Sequence, residues 1–123
     1  MSYGGKRILV VGKGRDTFEF IVALQRAGAA VEKVEGFTEA LTVLKGAKPD
    51  ALLIVLPISW DKAVTFVRDV RANKALARLP IVYLSSVLEG IDQFELKKYN
   101  VHTFSLGPVP FPEMARYILK QVL

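Results

Sequence analysis

The sequence predicts an α/β fold in which a single parallel five-stranded sheet carries helices on both faces. Along the 123 residues, five short apolar runs of strand length alternate with five longer segments whose apolar residues recur with helical period. Strict alternation favours a parallel sheet, because each helix crosses over the sheet in the right-handed sense to reach the next strand. For five such units the usual strand order is 2-1-3-4-5.

The first half of the chain supplies two of these units. Residues 8–11 are a compact apolar run, suited to a strand buried on both faces. Asp16 and Glu19 have the spacing of a capping box, so we expect Asp16 to cap a helix that stops at Gly28. The next two elements are predicted as a strand at residues 31–35 and a helix at residues 38–46.

The second half opens with the strongest strand candidate. Residues 51–56 form the most apolar run of the chain, and Pro57 ends it. The following helix, residues 59–73, has apolar side chains at i, i+3, i+4 and i+7, which predict a buried stripe. The stripe consists of Ala63, Phe66, Val67 and Val70. The remaining elements are predicted as a strand at 81–84, a helix at 91–99, a strand at 102–106 and a helix at 111–122.

Composition limits the classes of protein to consider. At 123 residues and 51% hydrophobic content, the chain has the size and apolar content of one packed domain, so we expect a single domain over residues 1–123. It has no cysteine, which excludes disulfides and thiolate metal sites. No apolar run approaches the roughly 20 residues of a membrane-spanning helix. We therefore expect a cytoplasmic protein with no membrane contact.

The net charge of +5 permits a nucleic-acid partner without requiring one. Five basic residues fall between positions 62 and 78, and none falls between positions 79 and 96. The basic stretch lacks a helix-turn-helix partner and an interleaved aromatic platform. We therefore expect a solvated surface there and no nucleic-acid partner.

In a fold of this type, ligands and chemistry collect where the strands end at their carboxyl side. Gly12 and Lys13 follow the first strand, Val55 lies at the end of the third, Ser85 follows the fourth and Gly107 the fifth. No carboxylate stands at these strand ends. Because magnesium and calcium prefer carboxylate oxygens, we expect no metal site and no cofactor.

Four stretches of the chain share their order and spacing with a known family. They are ILVV at residues 8–11, PDALLIV at 49–55, LPIVYLS at 79–85 and FSLGP at 104–108. Together they resemble the receiver domains of bacterial two-component response regulators, over nearly the whole chain. In receivers the first stretch precedes an acidic pair, the second leads to the phospho-accepting aspartate, the third ends in a switch threonine or serine, and the fourth holds a Lys-Pro pattern. The resemblance implies the flavodoxin-like receiver fold.

The departures from the receiver pattern concern its reactive residues. The acidic pair falls on Gly12 and Lys13, the phospho-acceptor on Val55 and the lysine on Gly107, and only Ser85 keeps the receiver residue type. Phosphoryl transfer to an aspartate needs a carboxylate nucleophile, a divalent ion and a cation on the developing phosphate. We therefore interpret these five residues as a degenerate phosphorylation pocket with no catalytic residue. The chain is expected to be a pseudo-receiver, a phosphorylation-independent protein–protein interaction module in bacterial signal transduction and not an enzyme.

Lys13 has two interpretations. Its ammonium group either takes the place of the missing metal and hydrogen-bonds strand-end carbonyls or Ser85, which would lock one conformation, or it remains a solvated loop lysine. Asp50 is not expected to replace the missing acceptor, because it lies at the opposite end of its strand from Val55.

Receivers signal through the face built from their fourth helix, fifth strand and fifth helix, and in this chain that face is rich in aromatic residues. In the last helix, Ala115, Ile118, Leu119 and Val122 already supply a buried stripe, which leaves other apolar residues as surplus. The surplus either anchors a protein partner, such as another signalling protein or a second copy of the chain, or buries against the sheet. The candidate residues of this partner face are Phe94, Tyr99, Phe104, Phe111, Met114 and Tyr117.

A nucleotide- or dinucleotide-binding regulatory domain is the alternative. Gly12, Lys13 and Gly14 follow a strand and precede a helix, like the first half of a dinucleotide-binding fingerprint. Glu35 ends the second predicted strand, where a ribose-binding acid would sit. Against this alternative, the third glycine position is Thr17, and the chain is short for a full dinucleotide fold.

Overall fold

The computed structural model describes residues 6–55, 60–85, 97–105 and 111–122. In chain order the elements are β1 (Arg7–Val11), α1 (Arg15–Arg26), β2 (Ala30–Val34), α2 (Phe37–Gly46), β3 (Ala51–Val55), α3 (Trp60–Ala72), a 3₁₀ turn (Lys74–Leu76), β4 (Ile81–Ser85), β5 (Val101–Ser105) and the C-terminal helix (Phe111–Val122). Among these helices none combines the length and the apolarity that crossing a membrane would require.

The five strands form one sheet in the order β2-β1-β3-β4-β5, and every neighbouring pair is parallel. This confirms the predicted fold class and strand order. The register pairs Val11 with Val34 on one side and with Ile54 on the other. Because all strands run in the same direction, their carboxyl ends meet at one edge of the sheet, where a doubly wound fold places its ligands.

Each face of the sheet is covered by helices, because alternate residues of a strand point to opposite faces. One face packs β1 and β3 side chains such as Leu9 and Ile54 against the buried stripe predicted for α3 and against Leu44 of α2. The other face packs Val10 and Val55 against α1 and the C-terminal helix. The central strand β3 is therefore buried along its whole length, as its continuous apolar run predicted.

Helix α1 begins earlier than the sequence predicted. Its first residue is Arg15 and its N-cap is Gly14, which has φ 102°, a backbone conformation that glycine adopts more readily than other residues. The prediction that Asp16 caps the helix is wrong, because Asp16 lies inside the first turn. Glu19 does not reach back to a cap, and its Oε1 lies 3.9 Å from Nε of Arg15. The predicted stop is confirmed at Gly28, with φ 103°.

The other predicted boundaries differ little from those observed. The C-terminal helix covers the residues predicted for it. The largest part of the helix predicted at residues 91–99 lies outside the described residues, and of its end Lys97 and Lys98 are helical. The 3₁₀ turn after α3 was not predicted. It is capped by Asn73, whose side-chain oxygen accepts a hydrogen bond from the backbone N–H of Ala75 at 3.0 Å.

Arg71, on the last turn of α3, joins two segments that are distant in sequence. Its Nη1 donates to the carbonyl oxygens of Leu76 and Ala77, at 2.9 and 3.1 Å. Its Nε donates to the carbonyl of Tyr99 at 2.8 Å, and its Nη2 to that of Asn100 at 3.3 Å. One guanidinium group thus ties the 3₁₀ turn to the turn that leads into β5. Burial lowers the pKa of Arg71 from its usual value, but an arginine side chain stays charged in proteins.

Candidate functional site

The carboxyl edge of the sheet brings together two of the residues predicted for the degenerate pocket. Gly12 continues β1 past its last residue, and its N–H donates to the carbonyl of Val34 at 3.0 Å. Val55 ends β3 beside Leu84 of β4, and its side chain is fully buried. The two positions that the resemblance matches to an acid and to the phospho-acceptor are therefore neighbours across the β1–β3 pair.

Gly12 has no room for a side chain. A Cβ atom at this position would lie 2.7 Å from the carbonyl oxygen of Val55 and 2.9 Å from Oγ1 of Thr17. Both distances are well below ordinary van der Waals contact, and the Val55 oxygen belongs to the backbone of the central strand. Position 12, which the resemblance matches to the first receiver acid, therefore holds no carboxylate. It is also too crowded to hold one unless the backbone moves.

Thr17 supplies the second wall of this crowded position. Its side chain is fully buried, and its hydroxyl donates to the carbonyl of Lys13 at 3.3 Å, which satisfies the buried hydroxyl group. In the sequence, Thr17 is conspicuous only as the residue that stands at the third glycine position of a dinucleotide-binding fingerprint. The signal that could have identified it is its place in the apolar stripe of α1, three residues before Phe20 and seven before Leu24.

Lys13 is exposed, and within the described residues its ammonium group makes no hydrogen bond or ion pair. Only its backbone carbonyl has a partner, the hydroxyl of Thr17. The described contacts therefore match the solvated interpretation of Lys13. The proposed lock also involves Ser85, which ends β4 opposite Ser105, but the side chain of Ser85 lies outside the described part of the chain. Gly107 lies outside it entirely.

The described acids do not stand at the matched positions, and the one that follows β2 at this edge, Glu35, lies 3.6 Å from Nζ of Lys33. Asp50 precedes β3 at the opposite, amino edge of the sheet, and its Oδ2 accepts a hydrogen bond from the backbone N–H of Arg7 at 2.7 Å. Within the described ranges no three histidine, aspartate or glutamate side chains are grouped so that they could hold a metal ion. The geometry of Gly12 and Val55 therefore offers packing, and no carboxylate nucleophile for phosphoryl transfer.

The loop from Gly12 to Gly14 lies between β1 and α1, as the nucleotide-binding alternative requires, but two further features do not favour it. Glu35 is exposed and its Oε1 lies 3.6 Å from Nζ of Lys33, so it points at a neighbour in its own segment. The third glycine position is occupied by the buried side chain of Thr17, where a dinucleotide fingerprint needs glycine for close helix–strand packing.

The candidate partner face is only partly open. Tyr117 is 53% exposed, whereas Met114 is 7% exposed and packs with Ile118 in the cluster under the C-terminal helix. The expectation that Met114 serves as a partner contact is therefore wrong, because a residue four positions before a core residue lies on the same helix face. Tyr99 is half-buried against the core cluster that includes α3. Phe94 and the side chains of Phe104 and Phe111 lie outside the described residues.

One exposed aromatic residue was missed from the sequence. Phe18 of α1 is 66% exposed, the largest exposure of a large apolar side chain among the described residues. The sequence did contain a signal, because Phe18 lies one position after Thr17 and so falls outside the buried stripe of its helix. Phe18 and Tyr117 are on the two helices that cover the same face of the sheet.

Comparison with known proteins identifies the fold. No protein-family model matches the sequence, and a search of curated proteins finds no match either. Solved structures do match. The chemotaxis protein CheY4 of Vibrio cholerae is 24% identical with a TM-score of 0.82, and the match covers 96% of this chain and 98% of that one.

Two further matches are a signal receiver domain and a response regulator. The signal receiver domain of a signal transduction histidine kinase from Syntrophus aciditrophicus is 18% identical with a TM-score of 0.77, over 96% of this chain and 90% of that one. A two-component response regulator from Clostridium difficile is 17% identical with a TM-score of 0.77, over 95% and 94%. At these identities the likeness shows the fold: this chain has the fold of receiver domains.

Proposed function

We propose that this chain is a phosphorylation-independent protein–protein interaction module of bacterial signal transduction, a single cytoplasmic receiver-like domain without phosphotransfer chemistry. The observation that carries the proposal is the approach of Gly12 to Val55. A receiver needs carboxylates at both matched positions, and here one position is a buried valine and the other excludes any side chain. Position 55 supplies no nucleophile and position 12 supplies no acid for a divalent ion, so the two central parts of the reaction are missing at the matched positions.

The described part of the scaffold around Gly12 and Val55 is packed on both faces of the sheet. Strand β3 is buried at all five positions, and both faces of the sheet are covered. Gly12 and Val55 take part in packing at two positions that hold carboxylates in a receiver, so this part of the chain supports a surface for a partner and not phosphotransfer. A protein partner is therefore the function class that the described residues favour over an enzyme.

Incubation with acetyl phosphate, followed by intact-mass measurement, tests the absence of phosphotransfer. We expect no adduct on the wild-type chain, while a receiver domain with its aspartate intact gains one phosphoryl group in the same reaction. The variant Val55→Asp should also remain unmodified, because position 12 still has no room for the partner acid. An acid-labile phosphoryl adduct on any aspartate of the wild-type chain would contradict the proposal.

The binding role needs its own experiment. The domain is used as bait in a lysate of its native host, with and without acetyl phosphate, and captured proteins are identified by mass spectrometry. We expect the same specific partner under both conditions, and a reduced yield with Tyr117→Ser, which alters an exposed residue. Capture that requires acetyl phosphate would refute phosphorylation independence, and no specific capture would refute the binding role.

A further inference from the structure

Four exposed cations are gathered where Arg71 joins two turns. Lys74 begins the 3₁₀ turn and Arg78 follows it, while Lys97 and Lys98 precede the turn that enters β5. The carbonyls of Leu76 and Ala77, between Lys74 and Arg78, and those of Tyr99 and Asn100, directly after Lys98, are bound to the same guanidinium group. Two pairs of residues that are 19 or more positions apart in sequence therefore form one patch, which we call the basic cluster.

The basic cluster is not neutralised by the described part of the chain. The ion pairs there are Arg15 with Glu19 and Lys33 with Glu35, and neither includes a member of the cluster. Asp69 is the one acid of α3 whose side chain is described, and it lies two residues before Arg71. Two residues correspond to about 200° around a helix, so Asp69 faces away from the bonds that Arg71 makes.

Arg71 adds to the positive charge of this patch. Its guanidinium donates to four backbone carbonyls and, within the described residues, to no carboxylate. The carbonyl dipoles orient toward that charge but carry no net charge themselves. The four carbonyl oxygens already accept hydrogen bonds from Arg71, and the positive charge of its half-buried guanidinium lies behind them. This charge attracts an anion that approaches the cluster.

We propose that the basic cluster binds an acidic segment of a protein partner, a stretch rich in aspartate and glutamate. The inference rests on the proposed function, because it names the chemistry of the partner. The positive charge of the cluster is complementary to the negative charge of such a segment. The residues between Lys74 and Arg78 do not block access to the two cations. Ala75 and Ala77 are exposed and small, so carboxylate side chains reach the cations on either side without a steric barrier.

The described residues favour an acidic protein segment over other polyanions. Binding to single-stranded nucleic acid uses exposed aromatic residues as stacking platforms, and the aromatic residue beside the cluster, Tyr99, is packed against the core. Double-stranded DNA is read by a helix or a β-ribbon placed in a groove. Here Lys74 and Arg78 lie at the 3₁₀ turn, whereas Lys97 and Lys98 lie at the end of another helical segment, so the four cations do not share one helix or ribbon. An anionic membrane surface is held by apolar side chains together with cations, and Ala75 and Ala77 offer little apolar surface for that purpose.

Fluorescence anisotropy with a labelled oligoglutamate peptide tests the proposal. The wild-type chain should bind the peptide at low salt and release it as salt is added, because exposed charges are screened. Two charge-reversal variants, Lys97→Glu with Lys98→Glu and Lys74→Glu with Arg78→Glu, should each bind about tenfold more weakly, since each replaces two attractions by repulsions. The matched control is Arg26→Glu with Lys120→Glu, which makes the same charge change at exposed positions of the opposite sheet face.

Each outcome decides for or against the acidic segment. Equal loss of binding in the control variant would attribute the affinity to net charge and overturn the proposed site. Absence of binding at low salt would overturn it as well, and so would tighter binding to a DNA duplex or to phosphatidylserine vesicles than to the peptide. These results are independent of the acetyl phosphate reaction, so failure here and failure of phosphorylation independence are distinguishable. Circular dichroism of each variant verifies that the fold is retained.

Discussion

The carbonyl oxygen of Val55 lies 2.7 Å from the point where a Cβ atom on Gly12 would be. This contact joins the first and third strands at the carboxyl edge of the sheet, and Thr17 closes the same space from α1. Both atoms that limit the space are held in place, one by the backbone of a buried strand and one by a buried side chain. The space that a side chain at position 12 would need is therefore occupied by the backbone of β3 and the side chain of Thr17.

Gly12→Ala should destabilise the protein. The added methyl group meets a backbone oxygen that moves only if β3 moves, and overpacking of this kind costs about 1 to 3 kcal/mol of unfolding free energy. Urea denaturation followed by circular dichroism gives the value. The control is Gly46→Ala at the end of α2, where a Cβ atom would meet nothing within 4 Å, and it should be neutral or stabilising by up to about 1 kcal/mol. Equal effects at the two glycines would show that the crowding at Gly12 is not real.

Arg71→Met should destabilise the protein by about 2 kcal/mol, because four carbonyls lose a charged donor while the hydrophobic stem is largely kept. Thermal and urea unfolding measure the change. Arg68→Met removes the same charge from an exposed residue one turn earlier and should change stability by less than about 0.5 kcal/mol. If Arg68→Met were as costly, net charge and not the bonds to the two turns would account for the loss.

Stability should fall at alkaline pH through Tyr83. Burial raises the pKa of Tyr83 above its usual value of 10.0, so its neutral form is favoured in the folded state. The corresponding stabilisation is fully present below the unfolded pKa, about 10, and is lost as pH rises through the folded pKa. Urea midpoints measured as a function of pH should therefore decline for the wild type relative to Tyr83→Phe above that pH. Tyr117→Phe, at an exposed position, should retain the decline, and parallel curves for wild type and Tyr83→Phe would contradict the prediction.

On the C-terminal helix, substitution of Met114 should reduce stability more than substitution of Tyr117, because Met114 faces the core and Tyr117 faces the surface. Met114→Ala should cost about 2 kcal/mol or more, because it leaves a cavity beside Ile118 in the cluster below the helix. Tyr117→Ala should cost less than about 1 kcal/mol, since half of the side chain is already exposed. Differential scanning calorimetry of the two variants provides the comparison. A larger loss for Tyr117→Ala would reverse the assignment of which residue faces the core.

The sequence was sufficient to predict the topology, because the apolar pattern of each segment indicates whether it is a strand or a helix, and the alternation of the two indicates a parallel sheet. Residues 51–55 are apolar without interruption and form the central strand, and Ala63, Phe66, Val67 and Val70 form the buried stripe that their spacing predicted. The start of α1 was missed because it depends on the backbone conformation of Gly14, which a helical period does not report.

The crowding at Gly12 and the bonds of Arg71 could not be predicted from local patterns. The first depends on how closely the end of β3 approaches β1, and the second on which turns meet at the end of α3. Both are distances between segments far apart in sequence. The resemblance to receivers was enough to identify the pocket positions. The lack of space at Gly12 could be seen only in the three-dimensional structure.

The packing around Gly12 bears on how this chain would change under selection. An aspartate at position 12 gains nothing until the end of β3 and the side chain of Thr17 have moved, and an aspartate at position 55 buries a lone carboxylate in the core. Each of these two single substitutions therefore destabilises the protein, and neither one alone supplies both carboxylates that the reaction needs. The contact between Gly12 and Val55 therefore couples the gain of a carboxylate at either position to a loss of stability, and a side chain at position 12 also requires Thr17 to move.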